Sequence, residues 1–338
     1  MRPIALLTLS LLLAAATCVT VPDAALAAKK KVPELADLSA TAPGEVMVFA
    51  LIRLIPGDPA LLMLGDMADP QSLADMRSNL GLDHSLVTQF LIWFKAVLSG
   101  DLGLSIGTKQ AVLPLILERF SVSAIIVLVA VLLATLIAVP VGLIAAWKQN
   151  SALDLGLVTT ATLLLSIPSF WLGLLLLHAF GIKLGWLPVV GYVSFAQAPW
   201  QAMSFLVLPV ITLTLVELGA ITRMARASTI EVLRLEYIAH ARAKGLSERS
   251  VLWRHALPNA FAPTWTLVGL ILGNLLGGIA VLETVFTLPG IGRLMVDAIF
   301  ARDYPVLQGC LLLITFIYVL VNLCVDLLYP LFDPRVKL

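Results

Sequence analysis

The chain is poor in charge and in the residues that perform chemistry. Only 13% of its 338 residues are charged, and it contains four histidines and three cysteines. Cys18, Cys310 and Cys324 all fall inside apolar segments without metal-ligand spacing, so we interpret them as packing residues. The formal net charge of +1 gives no reason to expect a nucleic-acid partner.

Sequence motifs of catalysis are missing as well. There is no glycine-rich phosphate loop ending in Gly-Lys and no His-Glu-x-x-His pattern. The four histidines, at positions 84, 178, 240 and 255, do not have the spacing of metal ligands. The sequence therefore predicts no catalytic residue, no metal site and no cofactor.

Apolar residues dominate what is present. They make up 60% of the chain, and the mean hydropathy is +0.99, which predicts an all-α polytopic membrane protein. Five charge-poor runs are each long enough to cross a bilayer, and they lie within residues 120–147, 155–182, 184–216, 256–282 and 304–325. The third run begins with turn-forming residues, so its helix is expected to start near Trp200. Pro140, Pro168 and Pro209 lie inside or at the edges of these spans.

The basic residues are concentrated in one segment, which we call the basic loop, residues 223–258. Seven of the 22 Lys and Arg residues lie there, and they are Arg223, Arg226, Arg234, Arg242, Lys244, Arg249 and Arg254. Because Lys and Arg accumulate in cytoplasmic loops, this distribution predicts that the basic loop and the C-terminus face the cytoplasm. Residues 60–110 and 284–303 are then expected outside.

The N-terminus has two interpretations. An apolar run over residues 4–16, followed by Ala25-Leu26-Ala27, is typical of a signal peptide cleaved just before Ala28. The alternative is an uncleaved first span over residues 3–21, which exports Lys29-Lys30-Lys31 against the charge bias. We favour cleavage and divide the chain into residues 1–28, an extracytoplasmic region 29–114, a transmembrane domain 115–330 and a cytoplasmic tail 331–338.

Short motifs occur in a fixed order along the chain. They are RLIPGDPA at residues 53–60, GDLGLS at 100–105, SIPSFW at 166–171, GWLP at 185–188, ARAKGLS at 241–247 with LP at 257–258, and DPR at 333–335. Together they resemble the membrane subunits of binding-protein-dependent ATP-binding-cassette (ABC) importers, in the dipeptide, oligopeptide and nickel permease group. The resemblance covers about residues 46–338 and implies the type I importer transmembrane fold.

Two departures from that family pattern stand out. The family's loop begins with Glu-Ala-Ala six residues before its glycine, whereas Ala239, His240 and Ala241 occupy these places and His255 replaces a usual Ile. The family's first span should also run directly into the motif at 53–60, but only residues 46–52 form an uncharged apolar run there. Either the N-terminal segment substitutes for that span, or the chain has five spans.

The resemblance implies that the basic loop couples the permease to an ATPase. The residue types predict a helix over residues 236–244, a left-handed Gly245 and a second helix from about Glu248 to Leu257-Pro258. The coupling residues implied are Glu236, Ala241, Arg242, Lys244, Gly245, Leu246, Leu257 and Pro258. An amphipathic linker lying on the membrane surface is the alternative.

Four polar or small residues within the spans are candidates for a translocation path. Glu217 faces either a cavity or a partner such as Arg223, and Asn274 serves either a substrate or a neighbouring helix. Gly269, Gly273 and Gly277 recur every four residues, which favours close helix packing over a pore lining. The path candidates are thus Glu217, Gly273, Asn274 and Gly277.

The function implied by the resemblance is that of an importer permease that forms half of a translocation pore. Its expected partners are a second permease subunit in a heterodimer, cytoplasmic ABC ATPase subunits that hydrolyse ATP, a periplasmic solute-binding protein and the lipid of the bacterial inner membrane. Short peptides are the expected solute, while nickel chelates, glutathione-like and opine-like solutes stay open. A secondary transporter driven by an ion gradient is the rival, although the spans hold no midplane carboxylate pair.

Overall fold

The computed structural model describes residues 60–61, 69–79, 82–194 and 197–332. The N-terminal segment 1–28, nearly all of the motif at 53–60 and the motif at 333–335 lie outside these residues. The chain divides into two compact units, residues 1–95 and 96–338. Helix α1, Pro70–Asn79, belongs to the first unit, and α2, Leu86–Leu98, extends across the division.

Helices account for most of the second unit. They are α3 Val112–Trp147, α4 Ala152–Ser166, α5 Ser169–Leu176 with a π-helical extension Leu177–Lys183, α6 Pro199–Leu233, α7 Glu236–Ala243, α8 Glu248–Gly278, α9 Ala280–Val285, α10 Ile291–Ala301 and α11 Tyr304–Phe332. Helix α8 contains a π-helical stretch, Val251–Ala256. Pro140 lies inside α3 and Pro209 inside α6, as the sequence predicts.

Four of these helices are long and apolar enough to cross a membrane, namely α3, α6, α8 and α11. A fifth span is obtained if α4 and the helical segment Ser169–Lys183 count as one, although their axes differ by 96°. The apolar run over residues 155–182 therefore forms a bent pair of helices, with the break at Pro168, which the sequence places inside or at the edge of a span. Pro168 lacks an N–H and pushes Ile167 out of the helical region, to φ −84° and ψ 124°.

Helix α6 lies at the centre of the bundle and packs against α3, α4 and α8. Two glycines permit the close approach of its neighbours. A Cβ at Gly142 of α3 would lie 2.8 Å from Ala225 Cβ, and a Cβ at Gly219 of α6 would collide with the carbonyl oxygen of Ala161 in α4. Small residues at these crossings let the backbones approach, which is how membrane helices gain packing energy.

Helix α11 packs against α8 along the stripe of glycines that recur every four residues, Gly269, Gly273 and Gly277. A Cβ at Gly269 would collide with Val325, and one at Gly273 would lie 2.5 Å from the Tyr318 ring. Gly277 has no atom within 4 Å of such a Cβ. The packing interpretation of the stripe is confirmed for Gly269 and Gly273.

Candidate functional site

The basic loop folds as a compact helical hairpin. Its helix α7 follows α6 after an extended Leu235, and it directs Ile238 and Ala241 into the interior. These two side chains join an apolar cluster with side chains from the end of α6 and the start of α8: Val232, Val251, Ala256 and Ala260. Burial of this cluster holds α7 against both long helices, so the loop is a defined element of the fold.

The end of α7 has the geometry of a Schellman motif. Gly245 has φ +79°, its N–H donates to the Arg242 carbonyl, and the Leu246 N–H donates to the Ala241 carbonyl. The predicted helix, ending at Ala243 with Lys244 as its C-cap, and the left-handed Gly245 are both confirmed.

Polar contacts then fix the turn from α7 into α8. Arg242 donates from Nε to Glu248 Oε1 at 2.8 Å, and the Ser247 hydroxyl accepts the Ser250 N–H. The Tyr237 hydroxyl donates to the His255 carbonyl at 3.2 Å. Both partners of the Arg242–Glu248 pair are about 40% exposed, so the pair contributes less than about 1 kcal/mol.

The structure changes the extent of the basic loop in two ways. Helix α6 continues to Leu233, so Arg223 and Arg226 are helical residues and do not lie in a loop. Helix α8 begins at Glu248 as predicted, but it runs without a stop through Leu257 and Pro258 to Gly278. Pro258 follows directly after the π-helical stretch Val251–Ala256, where the regular α-helical hydrogen-bond pattern is already interrupted.

The outward face of the hairpin combines positive charge with apolar side chains. His240, Lys244, Arg249 and Arg254 are exposed, as are Leu246 at 39% and Trp253 at 44%. A concavity of about 560 Å³ lies beside them at the start of α8, and it is lined by Ser247, Arg249, Ser250, Trp253 and Arg254. Such a surface suits a protein partner with acidic and apolar groups.

A buried ion pair beside the hairpin was not predicted from the sequence. Asp154 in the first turn of α4 accepts from Arg226 Nε at 2.6 Å and Nη2 at 2.7 Å, and from the Asn150 N–H at 2.9 Å. The Asp154 side chain is 5% exposed and the Arg226 side chain 25%. The pair joins α4 to the part of α6 that leads into the basic loop.

The path candidates lie in different surroundings. Glu217 is half-buried and forms no ion pair with Arg223 or any other described residue, and Asn274 is exposed on α8. Gly273 is buried against α11, whereas Gly277 is open. Their place in a translocation path stays a prediction.

At the opposite end of the bundle, Glu283 of α9 is fully buried. It accepts hydrogen bonds from Ser123 Oγ at 2.5 Å and from the Arg293 N–H at 2.8 Å, and Ser123 in turn accepts the Ile291 N–H. Burial raises the pKa of Glu283, while the hydrogen bonds from Ser123 and the backbone act in the opposite direction.

A second polar contact lies at the same end. Ser105 Oγ donates to Asp303 Oδ2 at 2.5 Å, and the Gly107 N–H donates to the same oxygen at 3.2 Å. Asp303, just before α11, is 6% exposed. We call this contact the Ser105–Asp303 latch, because it ties residues 99–111 to the start of the last helix.

The part of the chain that the structure describes contains no group of three or more His, Cys, Asp or Glu residues placed to hold a metal ion. Cys310 is buried and Cys324 exposed, and neither forms a disulfide.

Comparison with known families gives two matches. A family described as binding-protein-dependent transport system inner membrane component matches residues 138–338. Its N-terminal companion, the binding-protein-dependent transport system membrane component, matches residues 44–127.

Curated relatives are similar over most of the chain. A protein named as a peptide transport system permease, from Brucella abortus, is 41% identical and covers 86% of this chain and 93% of the relative. A dipeptide transport system permease of Alkalihalophilus pseudofirmus is 39% identical, covering 86% and 94%. A glutathione transport system permease of Escherichia coli is 40% identical, covering 86% and 93%.

One solved structure supports the fold. It is a chain of the MetNI methionine ABC transporter in an inward-facing conformation, with a TM-score of 0.55 and 18% identity. The match covers 65% of this chain and 96% of that chain. At this identity the likeness concerns the arrangement of helices alone.

Proposed function

This chain belongs to the family of binding-protein-dependent transport system inner membrane components, the permease subunits of ABC importers, and we propose that it carries short peptides. It is a multi-pass protein of the inner membrane and not an enzyme, since ATP is hydrolysed by a separate subunit. Family membership also implies that it works with an ATPase, a solute-binding protein and another permease.

The observation that carries the coupling mechanism is the position of α7 between two long helices. Ile238 and Ala241 are held by side chains of α6 and α8, and the Arg242–Glu248 pair closes the hairpin. A partner that grips α7 therefore displaces both helices together. In this mechanism an ATPase groove receives the exposed face of α7, and closure of the ATPase subunits moves the attached spans as rigid bodies.

The proposed coupling set keeps the residues named from the sequence, with roles refined by their surroundings. Glu236 and Lys244 lie at the two ends of α7, Gly245 turns the chain, and Leu246 presents an exposed apolar side chain. Ala241 lies on the buried face of α7, and Leu257 and Pro258 belong to α8. These three residues therefore support the hairpin from inside.

We place the basic loop and the C-terminus in the cytoplasm, and residues 99–111 and 284–303 outside. The bias of Lys and Arg toward the basic loop supports this orientation. The path candidates Glu217, Gly273, Asn274 and Gly277 belong to this proposal too. A heterodimer with a second permease completes the pore.

Peptides are the preferred solute because relatives named for peptide and dipeptide transport match most of the chain. The relative named for glutathione transport is equally similar, so overall identity does not separate a dipeptide from the γ-linked tripeptide. Selectivity then rests on the binding protein and on side chains of both permeases.

The test is uptake into proteoliposomes that contain this chain, its partner permease and the ATPase. Radiolabelled dialanine, trialanine and glutathione are offered with the cognate binding protein outside and ATP inside. We expect dialanine or trialanine to accumulate only when ATP and binding protein are both present. Accumulation driven by a proton or sodium gradient without ATP would contradict the proposal, and uptake of glutathione alone would replace the peptide assignment.

A further inference from the structure

A groove opens between α4, α6 and α8 at the end of the bundle that carries the basic loop. We call it the α4/α6/α8 groove, and its volume is about 520 Å³. It is lined by Val158 and Leu165 of α4, Ala220, Arg223, Met224, Arg226 and Ala227 of α6, and Leu267 of α8. Six of these eight side chains are apolar, and the two guanidinium groups come from consecutive turns of α6.

The two arginines differ in their electrostatic state. Arg226 is neutralised by Asp154 through a two-pronged contact of 2.6 and 2.7 Å. Arg223 is exposed and forms no hydrogen bond or ion pair with any described residue. One uncompensated positive charge is therefore left in a groove that is otherwise apolar.

The polar groups lie at one end of the groove. Asp154 is in the first turn of α4, at the end of that helix nearer to the basic loop. Arg223 precedes Arg226 by three residues, so it lies about 4.5 Å farther into the bundle. Leu165 is eleven residues beyond Asp154 along α4, or about 16 Å deeper. The charge thus lies near the end of the groove closer to the basic loop, and the apolar wall extends from it toward the middle of the spans.

We propose that an anionic phospholipid occupies this groove, with its phosphate on Arg223 and an acyl chain against the apolar side chains of α4, α6 and α8. A guanidinium binds a phosphate through two parallel hydrogen bonds. An acyl chain has no polar group that needs a partner on such a wall, whereas a peptide backbone there leaves its amides unsatisfied. Basic pockets between membrane helices are known to hold anionic headgroups.

The inference goes beyond the proposed transport function and does not depend on which solute is carried. A lipid in this position contacts both α4 and α8 along the central helix α6, just above the basic loop. A lipid bound in the groove therefore favours one relative position of α4, α6 and α8.

The experiment compares lipid retention by the purified importer, with all its subunits, in native mass spectrometry. The complex is titrated with phosphatidylglycerol or phosphatidylcholine of the same acyl chains. Arg223→Gln removes the charge in the groove, and Arg234→Gln removes an exposed charge from the end of the same helix. Ala227→Phe fills the groove and keeps the charge.

We expect the wild type to prefer phosphatidylglycerol to phosphatidylcholine, and we expect Arg223→Gln to reduce that preference roughly fivefold. Arg234→Gln reports the general surface potential and should retain the preference, while Ala227→Phe should lose retention of both lipids at this site. Equal preference in Arg223→Gln and wild type overturns the inference. So does a loss of peptide uptake by Arg223→Gln that is the same in bilayers with and without phosphatidylglycerol, because the groove would then serve the solute.

Discussion

At the scale of the residue, Asp154 and Arg226 form the most constrained ionic contact of the described bundle. Their bidentate geometry fixes the first turn of α4 to α6, with the Asp154 carboxylate buried and the Arg226 side chain 25% exposed. Removing one partner leaves the other charge without compensation in a site that is at least three-quarters buried, which is more costly than the pair itself is worth.

Asp154→Asn should lower the stability of the importer by about 3 kcal/mol, because Arg226 keeps its charge and loses its partner. The measurement is the apparent melting temperature of the purified complex in detergent. Arg242→Gln is the matched control, since it breaks an exposed pair and should cost less than about 1 kcal/mol. The reversed pair Asp154→Arg with Arg226→Asp should recover part of the loss, and equal melting temperatures for Asp154→Asn and Arg242→Gln would count against the buried contact.

Gly290 provides a second test at this scale. Its φ of −96° is open to any residue, but a Cβ there would collide with the carboxyl group of Glu283. Gly290→Ala should therefore displace Glu283 from Ser123 and reduce the melting temperature by several degrees. Gly277→Ala is the control, because nothing lies within 4 Å of its Cβ and alanine favours the helix. A neutral Gly290→Ala would show that the carboxylate is held less closely.

At the scale of the element, the basic loop depends on one backbone conformation. Gly245 has φ +79° and open space around it, so the effect of a substitution there depends on the backbone conformation and not on a steric clash with neighbours. Asparagine tolerates this region, whereas a β-branched residue costs about 1–2 kcal/mol.

Gly245→Val should reduce ATP-dependent uptake several-fold while the protein still inserts into the membrane, because α7 can no longer turn into α8 in the same way. Gly245→Asn should transport at a rate close to that of the wild type. Uptake and ATP hydrolysis are measured together in proteoliposomes. If both variants transport equally, the turn geometry has no part in coupling.

Local signals in the sequence predicted most of the elements. Apolar runs located α3, α6, α8 and α11, and Gly245 located the end of α7, because both signals act over a few residues. The sequence places Pro168 inside or at the edge of the second apolar run, but hydropathy does not give the 96° angle between α4 and Ser169–Lys183, which follows from the backbone conformation of Ile167.

Contacts distant in sequence were out of reach. Asp154 and Arg226 are 72 residues apart, and Glu283 and Ser123 are 160 residues apart. A charge at the end of an apolar run is ordinarily solvated, so nothing local indicated that Glu283 is fully buried. The apolar groove at Arg223 also required the packing of three helices.

At the scale of the whole molecule, orientation is the property to test. In a chain whose own cysteines are replaced by alanine, Lys244→Cys should resist a membrane-impermeant thiol reagent in intact cells and react after the inner membrane is opened. Asp297→Cys, exposed on α10, should react once the reagent has crossed the outer membrane. The positive-inside bias is the reason. Labelling of Lys244→Cys in intact cells would invert the proposed topology.

The Ser105–Asp303 latch also bears on how the chain is assembled. Its two partners are 198 residues apart, so at about 5–20 residues per second the ribosome needs roughly 10–40 seconds to deliver the second after the first. During that interval the segment 99–111 lacks the hydrogen bonds that it forms with Asp303. The Ser105–Asp303 latch can therefore form only after the start of the last helix has been synthesised. In a chain truncated before residue 303, the segment 99–111 should be digested by a protease that the complete chain resists.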